Sequence, residues 1–269
     1  MAKKSLPSST ALVATCTVSY DGFGKHAGMN DRISLLRECC ARVADHSVRL
    51  VCFPGGYLFC RNEREILELR KKLEHLSAEL SVTIAVGVDM AKKSIDKAGG
   101  TEDSDRIRKK LIREYRLPWF AVCAYPDGTS DLWRQRSIDN SSQYDAPDDC
   151  CSEFHGVRGL IPQTEILMCG EIFNKRIRAG VISRGTQLVV DLGHHSKGFR
   201  VHAAMKPLAS QGVTTLCSVL ANKLNATKYC YVPNSSVHLT CSTTSSDFTV
   251  GLKPRIEMKI WNFDTLRLT

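Results

Sequence analysis

Three consecutive residues near the middle of the chain have the types and spacing that nucleophilic catalysis by a thiol requires. Cys169, Gly170 and Glu171 follow the apolar run 166–168 and precede a segment that predicts a helix over 172–182. A cysteine at a turn between a strand and a helix lies beside the unpaired N–H groups of the helix start, which stabilise a thiolate. The same N–H groups, that of Gly170 included, can stabilise the oxyanion formed when sulfur attacks a carbonyl carbon.

Each of these side chains also has a purely structural interpretation. Free cysteine is among the most buried residue types, so Cys169 can be a core residue that ends a strand. Glu171 is the acid nearest to the thiol, and it can either shuttle a proton or cap the helix start. His194 and His195 follow another buried strand, 187–192, at the same edge of the sheet. Either histidine can bind substrate, act as a base for the thiol or face solvent.

The composition is typical of a globular α/β protein and not of a disulfide scaffold. The chain has 269 residues, of which 43% are apolar and 24% are charged. Its twelve cysteines lie partly in apolar, strand-like runs, and none has Cys-x-x-Cys spacing. We therefore expect free thiols in a reducing, cytoplasmic setting, with no metal site. No apolar run is long enough to span a membrane, so we expect no membrane partner.

The net charge of +9 is the main argument for a nucleic-acid partner. The densest basic stretch is 106–116, and neither an aromatic ladder nor a glycine-rich motif accompanies it. A solvated helix face or a mobile loop explains such a run better, so we expect no nucleic-acid binding. The whole polar segment 89–116 is predicted to be a surface excursion, and its function is left open.

Hydrophobic periodicity predicts strands that alternate with helices, the pattern of a buried sheet flanked by helices. Residues 1–10 are expected to form a disordered leader, and 11–269 a single domain. The predicted strands are 11–19, 48–53, 82–88, 119–124, 131–137, 165–168, 187–192, 214–221, 229–232, 237–241, 248–252 and 256–263, and the predicted helices are 31–44, 63–80, 172–182 and 201–211. The second strand is expected to end in a turn at 54–57.

This layout resembles the nitrilase superfamily of carbon–nitrogen hydrolases over about 11–263. The most specific part of the resemblance is the strand, cysteine and helix around Cys169, which looks like that family's nucleophile elbow. The other matching pieces are 50–54 and 125–128, the latter followed by 132–135. The resemblance implies a four-layer α-β-β-α sandwich and homo-oligomers that associate through their outer helices.

The resemblance also implies a catalytic set of glutamate, lysine and cysteine, of which this chain retains the cysteine. The glutamate is the general base, the lysine supports the oxyanion, and the cysteine, here Cys169, forms a thioester. Gly55 stands where the family has its glutamate, and Gln135 stands at the lysine position. Arg134 or Arg136 could supply the positive charge, but both would face the opposite side of the strand from Gln135 unless the strand contains a bulge. We therefore take Glu171 and Gln135 as the substitute catalytic residues.

The Gly55 position has a second consequence, because a missing side chain leaves space. We expect Gly55 to make room for substrate, with Tyr57 lining the same pocket. Gly170, His194 and His195 complete the predicted substrate-binding residues.

Two functions follow from the sequence. The first is hydrolysis of non-peptide carbon–nitrogen bonds in small amides or nitriles, through a thioester on Cys169 and without a cofactor. The alternative is a catalytically inactive nitrilase-like scaffold or binding protein, which the loss of the family's glutamate and lysine favours. The retained cysteine at a helix start leads us to prefer the enzyme.

Overall fold

The apolar segments form strands and helices close to the positions that periodicity predicts. The computed structural model describes residues 11–19, 28–44, 46–90, 119–138, 153–160, 163–194, 199–221, 230–231, 240–247 and 255–263. The predicted leader, nearly all of the predicted excursion, the predicted strand 248–252 and His195 lie outside these described residues.

The elements follow one another in a mixed order of strands and helices. The strands are β1 (Ala11–Ser19), β2 (Val48–Cys60), β3 (Thr83–Met90), β4 (Trp119–Ala124), β5 (Ser130–Arg134), β6 (Thr164–Met168), β7 (Leu188–Gly193), β8 (Thr214–Ala221), β9 (Cys230–Tyr231), β10 (Thr240–Asp247) and β11 (Arg255–Phe263). The α-helices are α1 (Met29–Ala44), α2 (Glu63–Leu80), α3 (Lys175–Ser183) and α4 (Phe199–Ala209), and a 3-10 helix spans Cys169–Phe173. None of the helices described is both long and apolar enough to cross a bilayer.

The strands join into one continuous sheet in the order β5-β4-β3-β2-β1-β8-β7-β6. The strands from β3 to β6 in this order are parallel, whereas β4 and β5 are antiparallel additions at one end. β11 pairs antiparallel with β1, and β10 pairs with β11. Because parallel strands end at the same edge, the carboxyl ends of β2, β3, β6 and β7 all reach one side of the molecule.

The sheet divides into two halves at β1. This strand pairs with β2 over residues 12–15 and with β8 over residues 17–19. The Ser218 hydroxyl links the halves at this point, because its oxygen lies 2.7 Å from the Cys16 carbonyl oxygen and 2.8 Å from that of Cys52.

Three apolar clusters fill the space between the layers. The first packs α1 and α2 against one half of the sheet, and the third packs α3 and α4 against the other half. The second cluster lies between the halves and includes Leu50 and Cys123 from one half with Ile166 and Leu192 from the other. The arrangement of helix, sheet, sheet and helix confirms the predicted four-layer α/β sandwich.

The predicted turn at 54–57 is wrong, because β2 continues through it to Cys60. The pairing of β2 with β3 is irregular between Phe53 and Leu58. Gly87 on β3 permits this irregular segment to lie close, since a Cβ atom there would come within 2.3 Å of the Gly55 Cα atom. The extra length of β2 keeps its glycines inside the sheet instead of in a surface loop.

The predicted helix 172–182 begins later than expected. The side-chain oxygen of Asn174 accepts hydrogen bonds from the backbone N–H groups of Arg176 and Ile177, at 2.9 and 3.2 Å, and so caps α3. The residues before this cap form the 3-10 helix. Asparagine is a strong N-cap residue, which explains why the α-helix starts here.

We predict that Ser218→Ala lowers the free energy of unfolding by about 1–3 kcal/mol, because two buried carbonyl groups lose their hydroxyl partner. Urea denaturation measures this change. Ser210→Ala is the matched control, since the Ser210 hydroxyl donates to the Pro207 carbonyl at an exposed position. Equal unfolding midpoints for the two variants would contradict the role given to Ser218 at the junction.

Candidate active site

The chain turns sharply at Cys169, between β6 and the 3-10 helix. The Cys169 φ of 44° lies in the left-handed region, which residues with a side chain adopt uncommonly. Cys169 is partly exposed, whereas the other cysteines whose burial the structure describes are all buried. Strand, turn and 3-10 helix together form an elbow that presents the Cys169 thiol at the carboxyl edge of the sheet, the geometry that a nucleophile requires.

A buried ion pair holds the backbone on both sides of Cys169. The Glu171 carboxylate accepts hydrogen bonds from the backbone N–H of Arg136 at 2.6 Å and from its guanidinium Nε and Nη2 at 3.1 and 2.9 Å. It also accepts one from the backbone N–H of Met168 at 3.1 Å. Burial opposes the negative charge, but the charge and hydrogen bonds of Arg136 outweigh it and lower the pKa of Glu171.

These contacts change the role that we assign to Glu171. It was predicted to shuttle a proton for Cys169, yet both of its oxygens are directed at Arg136 and Met168. A carboxylate that is fully buried and whose pKa is lowered is a poor proton acceptor. Glu171 is therefore placed to position the elbow, and the predicted proton shuttle is corrected on these grounds.

Gly170 lets the segment after β5 lie directly against the elbow. A Cβ atom at Gly170 would come within 1.8 Å of the Ile138 carbonyl oxygen, so no other residue fits without backbone movement. Ser137, the residue before Ile138, makes a second contact, because its hydroxyl accepts a hydrogen bond from the Asn174 side-chain amide at 3.0 Å. The turn that carries the thiol is thus fixed by the chain segment that also carries Gln135.

Gln135 is buried beside this contact, with a neutral amide where the resemblance predicts a lysine. Its Nε2 donates to the Ser137 carbonyl oxygen at 2.6 Å. Its Oε1 has no hydrogen-bond partner among the described residues. Gln135 therefore contributes a buried acceptor without a described partner and no positive charge. Of the two arginines adjacent to Gln135 in sequence, Arg136 pairs with Glu171, and Arg134 lies over the Phe120 ring, 4.5 Å from its centroid.

His194, directly after β7, faces Cys169 and is held by a carboxylate on its other side. The imidazole Nε2 lies 2.7 Å from Asp89 Oδ1, near the end of β3, and the ring also hydrogen-bonds to Cys169. Trp119 meets the ring edge-on, with centroids 6.0 Å apart. Burial opposes a positive charge, but the hydrogen bond and charge of Asp89, followed by those of Cys169, raise the pKa of His194 to about 10.

Two adjacent glycines of β2 make space for this pair. A Cβ atom at Gly55 would come within 2.8 Å of His194 Nδ1, and one at Gly56 within 2.9 Å of Asp89 Oδ2. The expectation that Gly55 leaves room for substrate is corrected, because the imidazole of His194 fills that space.

Tyr57 does not line this pocket, contrary to expectation. Its side chain is fully buried and packs on Phe53, with ring centroids 4.9 Å apart, in the cluster under α1 and α2. Its hydroxyl donates to the Arg32 carbonyl oxygen at 2.9 Å. The physical reason is that β2 continues past its glycines, so that Tyr57 occupies a core position on a strand.

Sequence reasoning missed Asp89, which it assigned to the polar excursion after the third strand. The available signal was position: Asp89 ends a buried strand that neighbours the strand with the paired glycines. It also missed Asp191 on β7, a buried carboxyl group. Burial, together with the nearby charges of Cys169 and Glu171, raises the pKa of Asp191 well above the usual range.

In the described ranges, no group of His, Cys, Asp and Glu has the geometry of a metal site.

No sequence model of a protein family matches this chain, and no curated protein sequence does so either. Its structure is similar to solved amidase structures from Nesterenkonia sp. AN1. A mutant described as an amidase from the nitrilase superfamily has a TM-score of 0.53 at 11% identity, covering 95% of this chain and 91% of its own. This chain has the nitrilase fold.

Two further structures of that amidase carry ligands. A double mutant in complex with acrylamide has a TM-score of 0.56 at 10% identity, covering 95% of this chain and 92% of its own. A mutant that shows covalent addition of the acetamide moiety of fluoroacetamide at the active site cysteine has a TM-score of 0.51 at 12% identity, with coverage of 95% and 92%. Within the nitrilase fold, this chain places the imidazole of His194 against Gly55, the position where the resemblance predicts a glutamate.

We predict that Glu171→Gln lowers the free energy of unfolding by about 3–5 kcal/mol, because it leaves the Arg136 charge buried without its partner. Chemical denaturation at neutral pH measures the loss. Glu68→Gln is the control, since Glu68 pairs with Arg64 at an exposed position and is expected to cost less than about 0.5 kcal/mol.

The difference in the free energy of unfolding between wild type and Glu171→Gln depends on pH, and the sign of this dependence follows from the lowered pKa of Glu171. The stabilisation is complete above the pKa of the unfolded carboxyl group and is lost as pH falls through the folded value. The difference between wild type and Glu171→Gln should therefore shrink in acid. A difference that stays constant down to about pH 2 would contradict an ionised, stabilising Glu171.

Proposed function

We propose that this protein hydrolyses carbon–nitrogen bonds of small non-peptide amides, with Cys169 as the nucleophile. The observation that carries the proposal is the elbow, where the partly exposed thiol of Cys169, at a positive φ, follows β6 and begins the 3-10 helix. The amidases of similar fold that bind acrylamide or react with fluoroacetamide support an amide substrate. Nitriles, which also present an electrophilic carbon bonded to nitrogen, are the second substrate class to test.

The reaction proceeds in two acyl transfers. The sulfur of Cys169 attacks the amide carbon, and the carbonyl electron pair moves to oxygen, where backbone N–H groups from Gly170 onward stabilise it. The intermediate collapses, the carbon–nitrogen bond breaks, and the protonated amine leaves a thioester. Water then attacks the thioester, the carbon–sulfur bond breaks, and the carboxylic acid is released with the thiol restored. Each step is an acyl or proton transfer, so the chemistry requires no cofactor.

In this mechanism Glu171 holds the geometry of the elbow, and Gln135 binds the substrate. Glu171 fixes the elbow through Arg136 and so keeps the sulfur and the N–H groups in register. Gln135 has no titratable proton, and we assign it to substrate binding. Its Oε1 is an acceptor without a described partner, which suits the N–H of an amide substrate.

We predict that Cys169→Ala abolishes amide hydrolysis and leaves the fold intact, because the nucleophile is removed from a partly exposed position. Turnover of a panel of small amides and nitriles, followed by ammonia release, measures the loss. Cys40→Ala, at a buried position on α1, is the control and should retain activity. Equal turnover in wild type and Cys169→Ala would overturn the mechanism. A folded wild type inactive on the whole panel would favour the scaffold alternative.

Association through the outer helices remains a prediction of the resemblance. Light scattering coupled to size-exclusion chromatography measures the mass of the particle against the 29.9 kDa of one chain. We expect a multiple of that mass, and a monomer at micromolar concentration would contradict homo-oligomerisation.

A further inference from the structure

We infer that His194 is a catalytic residue that carries the proton between Cys169 and the leaving nitrogen, and that Asp89 positions His194 for this task. The inference rests on the proposed function and supplies the acid–base group that the proposal leaves open. It gives this chain a cysteine, histidine and aspartate set where the resemblance predicts cysteine, glutamate and lysine.

The three side chains come from three strands whose carboxyl ends meet at one edge. Cys169 follows β6, His194 follows β7, and these two strands are parallel neighbours in one half of the sheet. Asp89 belongs to β3, in the other half. The 2.7 Å contact between His194 and Asp89 therefore crosses from one half of the sandwich to the other, over the irregular part of β2.

Steric space for this crossing exists because β2 has glycine at two successive positions. With any side chain at Gly55 the imidazole would be displaced, and with one at Gly56 the Asp89 carboxylate would be displaced. Gly56 also has a φ of 67°, which glycine adopts without strain. The glycines, the imidazole and the carboxylate thus form one interlocking arrangement, in which neither charged group can shift toward β2.

The charges around His194 favour an imidazolium. Asp89 from β3 accepts from Nε2, and Cys169 contacts the ring from the elbow. The third acidic group is Asp191 from β7, which is fully buried and whose raised pKa favours its neutral form. The cation on the far side is Arg32 from α1, whose Nη1 donates to the Tyr57 carbonyl oxygen at 2.6 Å and whose charge acts on Asp89.

These groups alone account for every proton that the reaction transfers. Nε2–H of His194 donates to Asp89, which leaves Nδ1 to take the proton of the Cys169 thiol and give a thiolate and an imidazolium. After the thiolate attacks the amide carbon, Nδ1–H passes its proton to the nitrogen as the carbon–nitrogen bond breaks. Nδ1 then takes a proton from the attacking water and returns it to sulfur when the carbon–sulfur bond breaks.

Alkylation of the thiol tests this relay without any substrate. An ordinary thiol with a pKa near 8.5 is less than about 1% ionised at about pH 6, so its reaction with iodoacetamide is roughly 80-fold slower there than at about pH 8. In wild type we expect Cys169 to react only a few-fold more slowly at the lower pH, because His194 holds its proton. In His194→Gln we expect the full loss, and in the exposed control His75→Gln the wild-type profile.

Asp89→Asn separates positioning from mere packing. The carboxylate raises the pKa of His194, so its removal should move the alkaline limb of turnover, which needs the imidazolium as acid, to lower pH. Asp127→Asn, at an exposed turn where Asp127 accepts from Thr129, is the control and should leave this limb in place. An unchanged alkaline limb in a folded Asp89→Asn variant would overturn the role of Asp89.

Wild type alone supplies a further test if a variant fails to fold. Long-range proton–nitrogen NMR of His194 should show both ring nitrogens protonated at about pH 8, where an ordinary histidine with a pKa near 6.5 is neutral. A neutral imidazole at that pH would overturn the relay.

The two proposals fail in different ways. If no amide or nitrile is turned over but Cys169 alkylation depends on His194 as described, the relay stands and the hydrolase assignment fails. If amides are turned over and His194→Gln alters neither the rate nor the alkylation profile, the hydrolase assignment stands and the relay fails. Loss of a general base is expected to lower turnover by about 10²–10⁴-fold.

Discussion

The buried contact between Arg136 and Glu171 is the interaction on which the candidate site depends. It joins the segment after β5 to the 3-10 helix that begins at Cys169, and both side chains are almost completely excluded from solvent. A second carboxylate, that of Glu165 on β6, lies 3.8 Å from Arg136 and also pairs with Arg184 at 2.7 Å. Breaking such a network is costly because a desolvated charge would remain. The network can therefore hold Cys169 at its positive φ.

With the elbow fixed, the geometry of the site depends on how the two halves of the sandwich meet. β1 pairs with β2 in one half through residues 12–15 and with β8 in the other half through residues 17–19, so carboxyl ends of strands from both halves meet at one edge. His194 and Asp89 make contact there, beside the two positions at which β2 carries no side chain. A glutamate at position 55 of β2, as the resemblance predicts, would instead place its own carboxylate in this space. In the relay that we infer, the acid–base group is therefore His194, directly after β7, with its anchor Asp89 on β3, instead of a carboxylate on β2.

The nitrilase fold constrains the position of the thiol more strongly than that of its partners. A nucleophile at a strand-to-helix turn needs a sheet edge, a tight approach and N–H groups, all of which are properties of backbone packing. A proton carrier needs only a titratable atom at hydrogen-bonding distance from the sulfur, and several positions around the edge can supply one. Low sequence identity with the amidases of similar fold is compatible with this difference, because backbone packing persists when individual side chains are replaced.

The sequence by itself determined the order of strands and helices from β1 to β8, the helix at 63–80 and the turn that presents Cys169, because these follow from local periodicity and turn chemistry. It did not predict β10, a polar strand over 240–247 that pairs with β11, and instead placed a turn after 241. Gly55 was noticed as a missing glutamate, but local pattern could not say what fills the space. The pairing of His194 with Asp89 joins positions 105 residues apart. Likewise, the ion pair between Arg136 and Glu171 joins positions 35 residues apart. Only the tertiary structure decided these contacts, since they depend on which strand ends become neighbours when the two halves of the sheet pack together.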